Sequence, residues 1–330
     1  MMKSKIVIIG AGNVGTTLAF SIIHQGLCNE LVMIDLNREK VLGEVIDLQH
    51  ANVFMDRKIA IKSGSYEDCA GADIVVITAC APMNPEADNR LGMLEESKNI
   101  MKAIIPAVME NGFDGIMLLV SNPVDVMSYY AWKLSGLPKE RVIGSGTVLD
   151  TARLTCLLSH LFDINAKSID INVIGEHGDS EAVVWSTATI GGKRLEKVMK
   201  DNVDRVCDIS YEQMRKDTID AGWKIFHRKG NTSYGIAASV SSIIKSIVFD
   251  EDRIYPVSVY LDDIYGLKDV YLSLPAVINK SGVREIVKLN LSEEELQGLT
   301  VSYRVLKYSL QGTTQGNGLT GADMPVRFSM

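Results

Sequence analysis

The run Ile174-Gly-Glu-His177-Gly-Asp-Ser-Glu181 sets one histidine between two glycines and among three carboxylates, at the end of an alternating apolar stretch that starts at Ser168. Histidine is the side chain whose ordinary pKa lies nearest neutrality. It can therefore carry a proton to and from a reacting oxygen, provided that a carboxylate holds its other ring nitrogen. The glycines suit a strand that breaks sharply and lets another group approach. By itself the run is equally a polar turn with a solvated imidazole. A carboxylate and a cation stand at Asp150 and Arg153, three apart and so on one helix face. Alone, they read as a surface ion pair of small value. Asn122 before Pro123 reads alone as a helix cap, and Arg90, between a polar loop and a helix, as a solvated charge.

A second constellation is more telling. Gly10-Ala-Gly12-Asn13-Val14-Gly15 follows the apolar run Lys5–Gly10 and opens a helical pattern. In that place the first glycine permits a tight turn, the second lets a pyrophosphate reach the backbone, and the third lets helix and strand pack closely. The helix N-terminus adds free N–H groups and a partial positive charge. With 27 glycines in the chain the spacing is a weak signal alone. Asp35 strengthens it, because it ends the next apolar run about 20 residues on, where a carboxylate accepts hydrogen bonds from a ribose. That carboxylate disfavours a 2′-phosphate, so the expected cofactor is NAD, with Arg38 nearby as the one residue arguing the other way.

The elements that must position these groups alternate. Buried-strand runs at Lys5–Gly10, Glu30–Asp35, Ala72–Ala79, Gly115–Ser121 and Arg141–Gly144, with a weaker one at Ile59–Ser63, are separated by helical patterns. This predicts a doubly wound parallel sheet. After Asp150 the character changes. Helices are expected at Asp150–Leu161, Val203–Phe226 and Tyr234–Phe249. Strands are expected at Ile169–Ile174, Ala182–Ile190, Ile254–Leu261, Val270–Ile278 and Arg284–Leu289. Ser292-Glu-Glu-Glu295 is a capping box opening a last helix. The chain is thus read as α/β, a Rossmann domain over 1–145 followed by an α+β substrate domain over 146–311. A flexible Gly/Thr/Gln-rich tail is expected over 312–330.

Composition narrows the function. The 330 residues are 46% hydrophobic and 23% charged, with a net charge of -7. That balance argues against nucleic acid or an anionic membrane as partner, though not against a small anion met by a local arginine. Five scattered cysteines without a CxxC pair fit a reducing compartment and no zinc site. No apolar run suits a signal peptide or a membrane span, and the expected location is cytoplasmic.

Taken in order, five motifs resemble the L-lactate/malate dehydrogenase family, and its lactate branch in particular. They are the glycine turn with Asp35, Val120-Ser-Asn122-Pro-Val-Asp125, Gly144-Ser-Gly-Thr-Val-Leu-Asp150-Thr-Ala-Arg153, Gly175-Glu-His177-Gly-Asp179 and Lys229-Gly-Asn-Thr232-Ser-Tyr-Gly-Ile236. The resemblance spans roughly residues 4 to 310. It implies an NAD-dependent L-2-hydroxyacid dehydrogenase, a homodimer or homotetramer, acting without a metal on a 2-oxo or 2-hydroxy acid. His177 would be the acid–base residue and Asp150 the group that holds its ring. Arg153 would clamp the substrate carboxylate, and Arg90 would polarise the carbonyl from a closing loop. Asn122 would orient the same oxygen beside the cofactor, and Thr232 and Ile236 would line the substrate and nicotinamide pocket. Gly10, Gly12, Asn13, Val14, Gly15 and Asp35 would hold the rest of the cofactor.

The loop Ala81–Arg90 departs from the family. Its substrate-selecting position holds Met83, where lactate enzymes resemble one another in having glutamine and malate enzymes have arginine. Methionine offers no charge for a second carboxylate and Glu86 and Asp88 add negative charge, so a dicarboxylate is disfavoured. A flexible apolar side chain also suits a bulkier substrate, as in the similar L-2-hydroxyisocaproate dehydrogenases. Two other classes share parts of this pattern. An NAD- and metal-dependent glycosidase shares the fold and the Asn-Pro, but it needs a cysteine and a histidine as metal ligands, no suitable Cys/His pair follows Asn122-Pro123, and it leaves Gly175-Glu-His-Gly-Asp179 unexplained. A non-catalytic dinucleotide sensor would bind NADH without turnover.

Overall fold

The computed structural model describes residues 4–81, 90–207 and 209–311, so the loop carrying Met83, Glu86 and Asp88 and the tail over 312–330 lie outside the described residues. The chain opens with β1 (Lys5–Ile9), α1 (Asn13–Gln25), β2 (Glu30–Ile34), α2 (Arg38–Asn52) and β3 (Ala60–Ser63). β4 (Ile74–Ile77), α3 (Arg90–Glu110), β5 (Ile116–Leu119), α4 (Val124–Ser135) and β6 (Val142–Gly144) follow. These six strands pair in parallel in the order β3-β2-β1-β4-β5-β6. Helices cover both faces of such a sheet, which is why Ile-Val-Val-Ile of β4 and Ile-Met-Leu-Leu of β5 are buried at every residue. The order reverses between β1 and β4, and a crevice opens there beyond the carboxyl ends of the strands.

The second half runs α5 (Val148–Phe162), β7 (Ile169–Asp170), β8 (Val173–Ile174), β9 (Ala182–Val183), β10 (Thr189–Ile190), β11 (Lys193–Arg194), α6 (Leu195–Asp201), α7 (Val203–Val206), α8 (Tyr211–Lys229) and α9 (Tyr234–Phe249). It closes with β12 (Arg253–Leu261), β13 (Val270–Asn279), β14 (Gly282–Ile286) and α10 (Glu293–Gln311). The last three strands do not form a sheet of their own. β12 lies antiparallel against β6 through Ser258 and Gly144, and β13 and β14 continue outward, making one nine-stranded sheet across both halves.

Two expectations are corrected. The helix read over Val203–Phe226 is broken after Val206, and α8 starts afresh because the Ser210 hydroxyl accepts the Gln213 N–H at 3.1 Å. A capping side chain competes with continued helix at that point. The runs Ile169–Ile174 and Ala182–Ile190 each split into two short strands in different sheets. Their residues serve two cores: Ile171, Val173, Val183 and Ala188 pack in a small core under α5, whereas Ile174, Ala182 and Val184 pack in the main one. The capping box is present, with Glu295 accepting the Ser292 N–H at 2.8 Å and the Ser292 hydroxyl accepting the Glu295 N–H at 3.2 Å. Among the described residues no helix is long and apolar enough to cross a membrane.

Candidate active site

The site is assembled at the carboxyl edge of the parallel strands. Asp150 falls in the first turn of α5, where the helix dipole favours a carboxylate, and is buried. Its Oδ2 lies 2.6 Å from His177 Nδ1, and its Oδ1 accepts Arg153 Nη1 at 2.8 Å. An ionised carboxylate can only accept, so Nδ1 carries the proton of this bond and Nε2 is left for a substrate. About a quarter of the His177 side chain, 26%, stays exposed, against 2% for Asp150, which leaves the ring reachable from the crevice.

Electrostatics follow from the geometry. The Asp150 carboxylate raises the His177 pKa to about 9, against the opposing effect of burial, and Asp125 and Glu181 push in the same direction. Burial alone would raise Asp150; the charges of His177 and Arg153 outweigh it and hold the group below its ordinary value. Burial holds the Glu181 carboxyl well above the carboxylate range, with the Asp150 charge adding to it. The Glu181 Oε1 is buried without a hydrogen-bond partner among the described residues.

The backbone carrying His177 is pinned from several elements. Gly175, at φ +97°, exchanges two hydrogen bonds of 2.9 Å with Ser273 of β13. The Ser302 hydroxyl of α10 donates to the Ser180 carbonyl at 2.5 Å, and Arg215 of α8 donates to the carbonyls of Asp179 and Glu181 at 3.3 Å each. Asp125 of α4 accepts the His177 N–H at 2.9 Å. Gly222 of α8 makes room for the Arg153 guanidinium: a Cβ there would sit 3.1 Å from its Nη2.

The glycine turn fits a dinucleotide on the structure's own terms. A Cβ on Gly10, at φ +111°, would lie 2.6 Å from the Ala79 nitrogen, and one on Gly15 would lie 1.9 Å from the Gly10 carbonyl oxygen. At Gly12 it would meet nothing within 4 Å among the described residues, which leave this backbone open to an approaching pyrophosphate. Asn13 and Val14 form the first turn of α1 directly after it. Asp35 accepts the Ala11 N–H at 2.7 Å and the Asn37 N–H at 2.9 Å, which hold its carboxylate beside the glycine turn with lone pairs to spare for further donors.

Asn122 is exposed just beyond β5, next to a cis bond to Pro123, and its carbonyl accepts the Ser97 hydroxyl at 3.2 Å. Pro123, not Asn122, is the residue that caps α4. Thr232 precedes α9, whose start packs on the first turn of α5, with Gly235 against Leu149. Ile236 is half-buried against the main core. Arg90 begins α3; its side chain, like Met83, lies outside the described residues.

The sequence motifs contain Asp125 and Glu181 without giving either a role, and they do not point to Ser258, Arg215 or Gly222. Asp125 carried a signal, a charge between Val124 and Val126 on a helix whose first turn is otherwise apolar. Gly222 carried none, because its neighbour comes from another helix.

A Rossmann sheet with a dinucleotide turn and an imidazole–carboxylate pair at its carboxyl edge defines a nicotinamide-dependent oxidoreductase. Residues 4–144 match the family model for the NAD binding domain of lactate/malate dehydrogenase, and residues 147–315 match that for its alpha/beta C-terminal domain. The chain belongs to the lactate/malate dehydrogenase family, and it is an NAD-dependent L-2-hydroxyacid dehydrogenase. It is 45% identical over 303 residues to L-lactate dehydrogenase 3 of Bacillus thuringiensis subsp. konkukian, covering 92% of this chain and 96% of that one. A lactate dehydrogenase from a Medee basin deep-sea metagenome library superposes with a TM-score of 0.91 at 42% identity, over 96% of this chain and 100% of that one. The ligand-bound minor L-lactate dehydrogenase of Enterococcus mundtii gives a TM-score of 0.91 at 36% identity, over 96% and 99%.

Proposed function

We propose that this chain interconverts a monocarboxylic 2-oxo acid and its L-2-hydroxy acid, with L-lactate as the leading substrate and His177 as the acid–base residue. The observation that carries the reading is the relay His177–Asp150–Arg153, in which one buried carboxylate holds both the proton-bearing ring and the substrate-facing cation. When bound, NAD(H) supplies or accepts the hydride. In reduction, the imidazolium Nε2 gives its proton to the carbonyl oxygen as that oxygen becomes a hydroxyl. Asp150 stabilises the imidazolium and fixes its tautomer. The Arg153 N–H groups not held by Asp150 form a planar fork for the substrate carboxylate, which lysine cannot reproduce. Asn122 orients the reacting oxygen, and Arg90 stabilises its developing charge. Thr232 and Ile236 line the pocket.

The Asp35 carboxylate favours NAD over NADP. We further assign residues 1–145 to cofactor binding and 146–311 to substrate binding, a cytoplasmic location, and a homodimer or homotetramer. Lactate is supported by relatives that carry that name. A bulkier apolar 2-oxo acid is favoured by one specific feature, Met83 at the selecting position, although a single methylene in a pocket is worth only about 1–3 kcal/mol.

Replacing His177 by Asn tests the core of this reading. Turnover is expected to fall by about 10²–10⁴-fold while NADH binding, followed by fluorescence, stays as in the parent; turnover retained within tenfold overturns the assignment. Steady-state rates with NADH and NADPH against pyruvate, 2-oxoisocaproate, phenylpyruvate and oxaloacetate test the substrate. Oxaloacetate and NADPH are expected to be poor. Met83→Gln should shift the preference several-fold toward pyruvate, and an unchanged ratio removes Met83 from the selecting role.

A further inference from the structure

Asp125 is a buried carboxylate, 2% exposed, that the chemistry above leaves unused. It lies in the first turn of α4, three residues after Asn122. Both of its oxygens are engaged. Oδ2 accepts the His177 N–H at 2.9 Å, and Oδ1 accepts the hydroxyl of Ser258, a fully buried residue of β12, at 2.6 Å. Two residues before His177 the chain is still paired to β13 through Gly175 and Ser273. Beyond that bridge the His177 N–H has left the ladder, and Asp125 is its acceptor. Three elements of the common sheet and its covering helix thus converge on the backbone of one functional residue.

We propose that Asp125 is a positioning residue for the acid–base step: from α4 it fixes the backbone of His177, and its charge helps to keep the imidazole protonated until a substrate oxygen takes the proton. The proposal rests on the assignment of His177 as the acid–base residue. Two arguments support it. A backbone N–H turned out of a strand needs an acceptor, and an amide oxygen would serve that purpose without the cost of burying a charge. The charge therefore asks for a role beyond capping, and the nearest group that gains from it is the imidazolium. The other titratable and charged groups around the ring are Asp150 and Arg153 of α5 and Glu176, Asp179 and Glu181 of its own segment, with Arg215 of α8 against the last two; burial keeps the Glu181 carboxyl protonated at neutral pH. Asp125 differs from these in being joined to the His177 backbone itself. Burial pushes its carboxyl up to about 6, while the Ser258 hydroxyl and the His177 N–H hold it down. It is therefore ionised at neutral pH and loses its charge in mild acid.

The test uses Asp125→Asn, Asp125→Ala and Ser258→Ala, with the His177 ring titrated by NMR and the rates of 2-oxo acid reduction followed against pH. Asp125→Asn keeps an acceptor for the His177 N–H but removes the charge. Its imidazole titration, and the alkaline limb of kcat/KM with it, should move down by roughly half a unit to one unit. Asp125→Ala removes the acceptor, and kcat at pH 7 should fall at least about tenfold with NADH affinity held within about twofold. Ser258→Ala should raise the pH at which the Asp125 carboxyl itself titrates, read as the acid-side step in the His177 ring shifts, because the carboxylate loses a donor. A His177 titration unmoved in Asp125→Asn, or parental kcat in Asp125→Ala, overturns the proposal. Should Asp125→Ala not fold, the Asn and Ser258 variants carry the test by NMR alone. Retained turnover in His177→Asn would defeat the acid–base reading instead, and the NMR titration distinguishes the two failures.

Discussion

Proton affinity is where single residues of this site depart most from their ordinary chemistry. His177 is raised from 6.5 to about 9, chiefly by Asp150, and Asp125 from 3.8 to about 6, by burial. A group that binds its proton more tightly in the folded chain stabilises the fold below its unfolded pKa and ceases to do so as pH rises through its folded pKa. The His177 contribution is thus complete below about 6.5 and lost by about 9, and the burial cost of ionised Asp125 sets in between about 4 and 6. Asp150, held low, acts the other way and is lost only in acid. Thermal stability should therefore decline from pH 6.5 to 9.5. His177→Asn should abolish the part of that decline due to the imidazole, at most about 3 kcal/mol. Calorimetry at the two pH values checks this; a decline as large in the variant as in the parent would show that His177 does not contribute. The same titration orders the kinetics. With His177 as the proposed acid–base residue, reduction would need the imidazolium, so its kcat/KM should hold below about 9 and fall above, whereas oxidation would need the neutral ring and should rise toward that pH.

At the scale of elements, legibility followed the number of neighbours that decide a residue's fate. The parallel strands could be read directly, since burial on both faces demands unbroken apolar runs such as Ile74–Ile77, and α1 ends at Gly26 in the left-handed region as its sequence suggests. The alternating run Ile169–Ile174 could not be read so simply, because its residues are divided between two cores that only the tertiary fold creates. The site shows the same contrast. His177, Asp150 and Arg153 lie in recognisable motifs, whereas Gly222 matters only because α8 passes over α5. A glycine inside a helix costs about 1 kcal/mol relative to alanine, so Gly222→Ala should help α8 as a helix. Its new Cβ would nevertheless stand 3.1 Å from Arg153 Nη2. We expect KM for the 2-oxo acid to rise several-fold while NADH affinity stays as it was, with little loss of thermal stability. An unchanged KM would mean that the guanidinium yields without consequence for the substrate.

The whole molecule is organised by its shared sheet, which sets the cofactor turn after β1, Asn122 after β5 and Asp150 after β6 along one edge, while β13 carries the partner that pins the His177 segment. One consequence concerns the outside. α2 is apolar on two faces: Val41, Val45 and Leu48 pack inward, and Leu42 and Ile46 lie one turn apart on the other side. Val53 and Phe54, just beyond its end, are 78% and 87% exposed. A run of large apolar side chains left in water on one helix is where the proposed homo-oligomer would associate, and a twofold interface would place this patch in the contact of both copies. A buried glutamate at such a contact would face a low-dielectric interface without a partner, at a cost of several kcal/mol in each protomer. Ile46→Glu should therefore leave the fold and the circular dichroism of the monomer intact while lowering the mass seen by sedimentation at matched concentration. If the parent chain sediments as a homo-oligomer and the variant does the same, α2 lies outside the interface; if the parent sediments as a monomer, the oligomer reading itself fails.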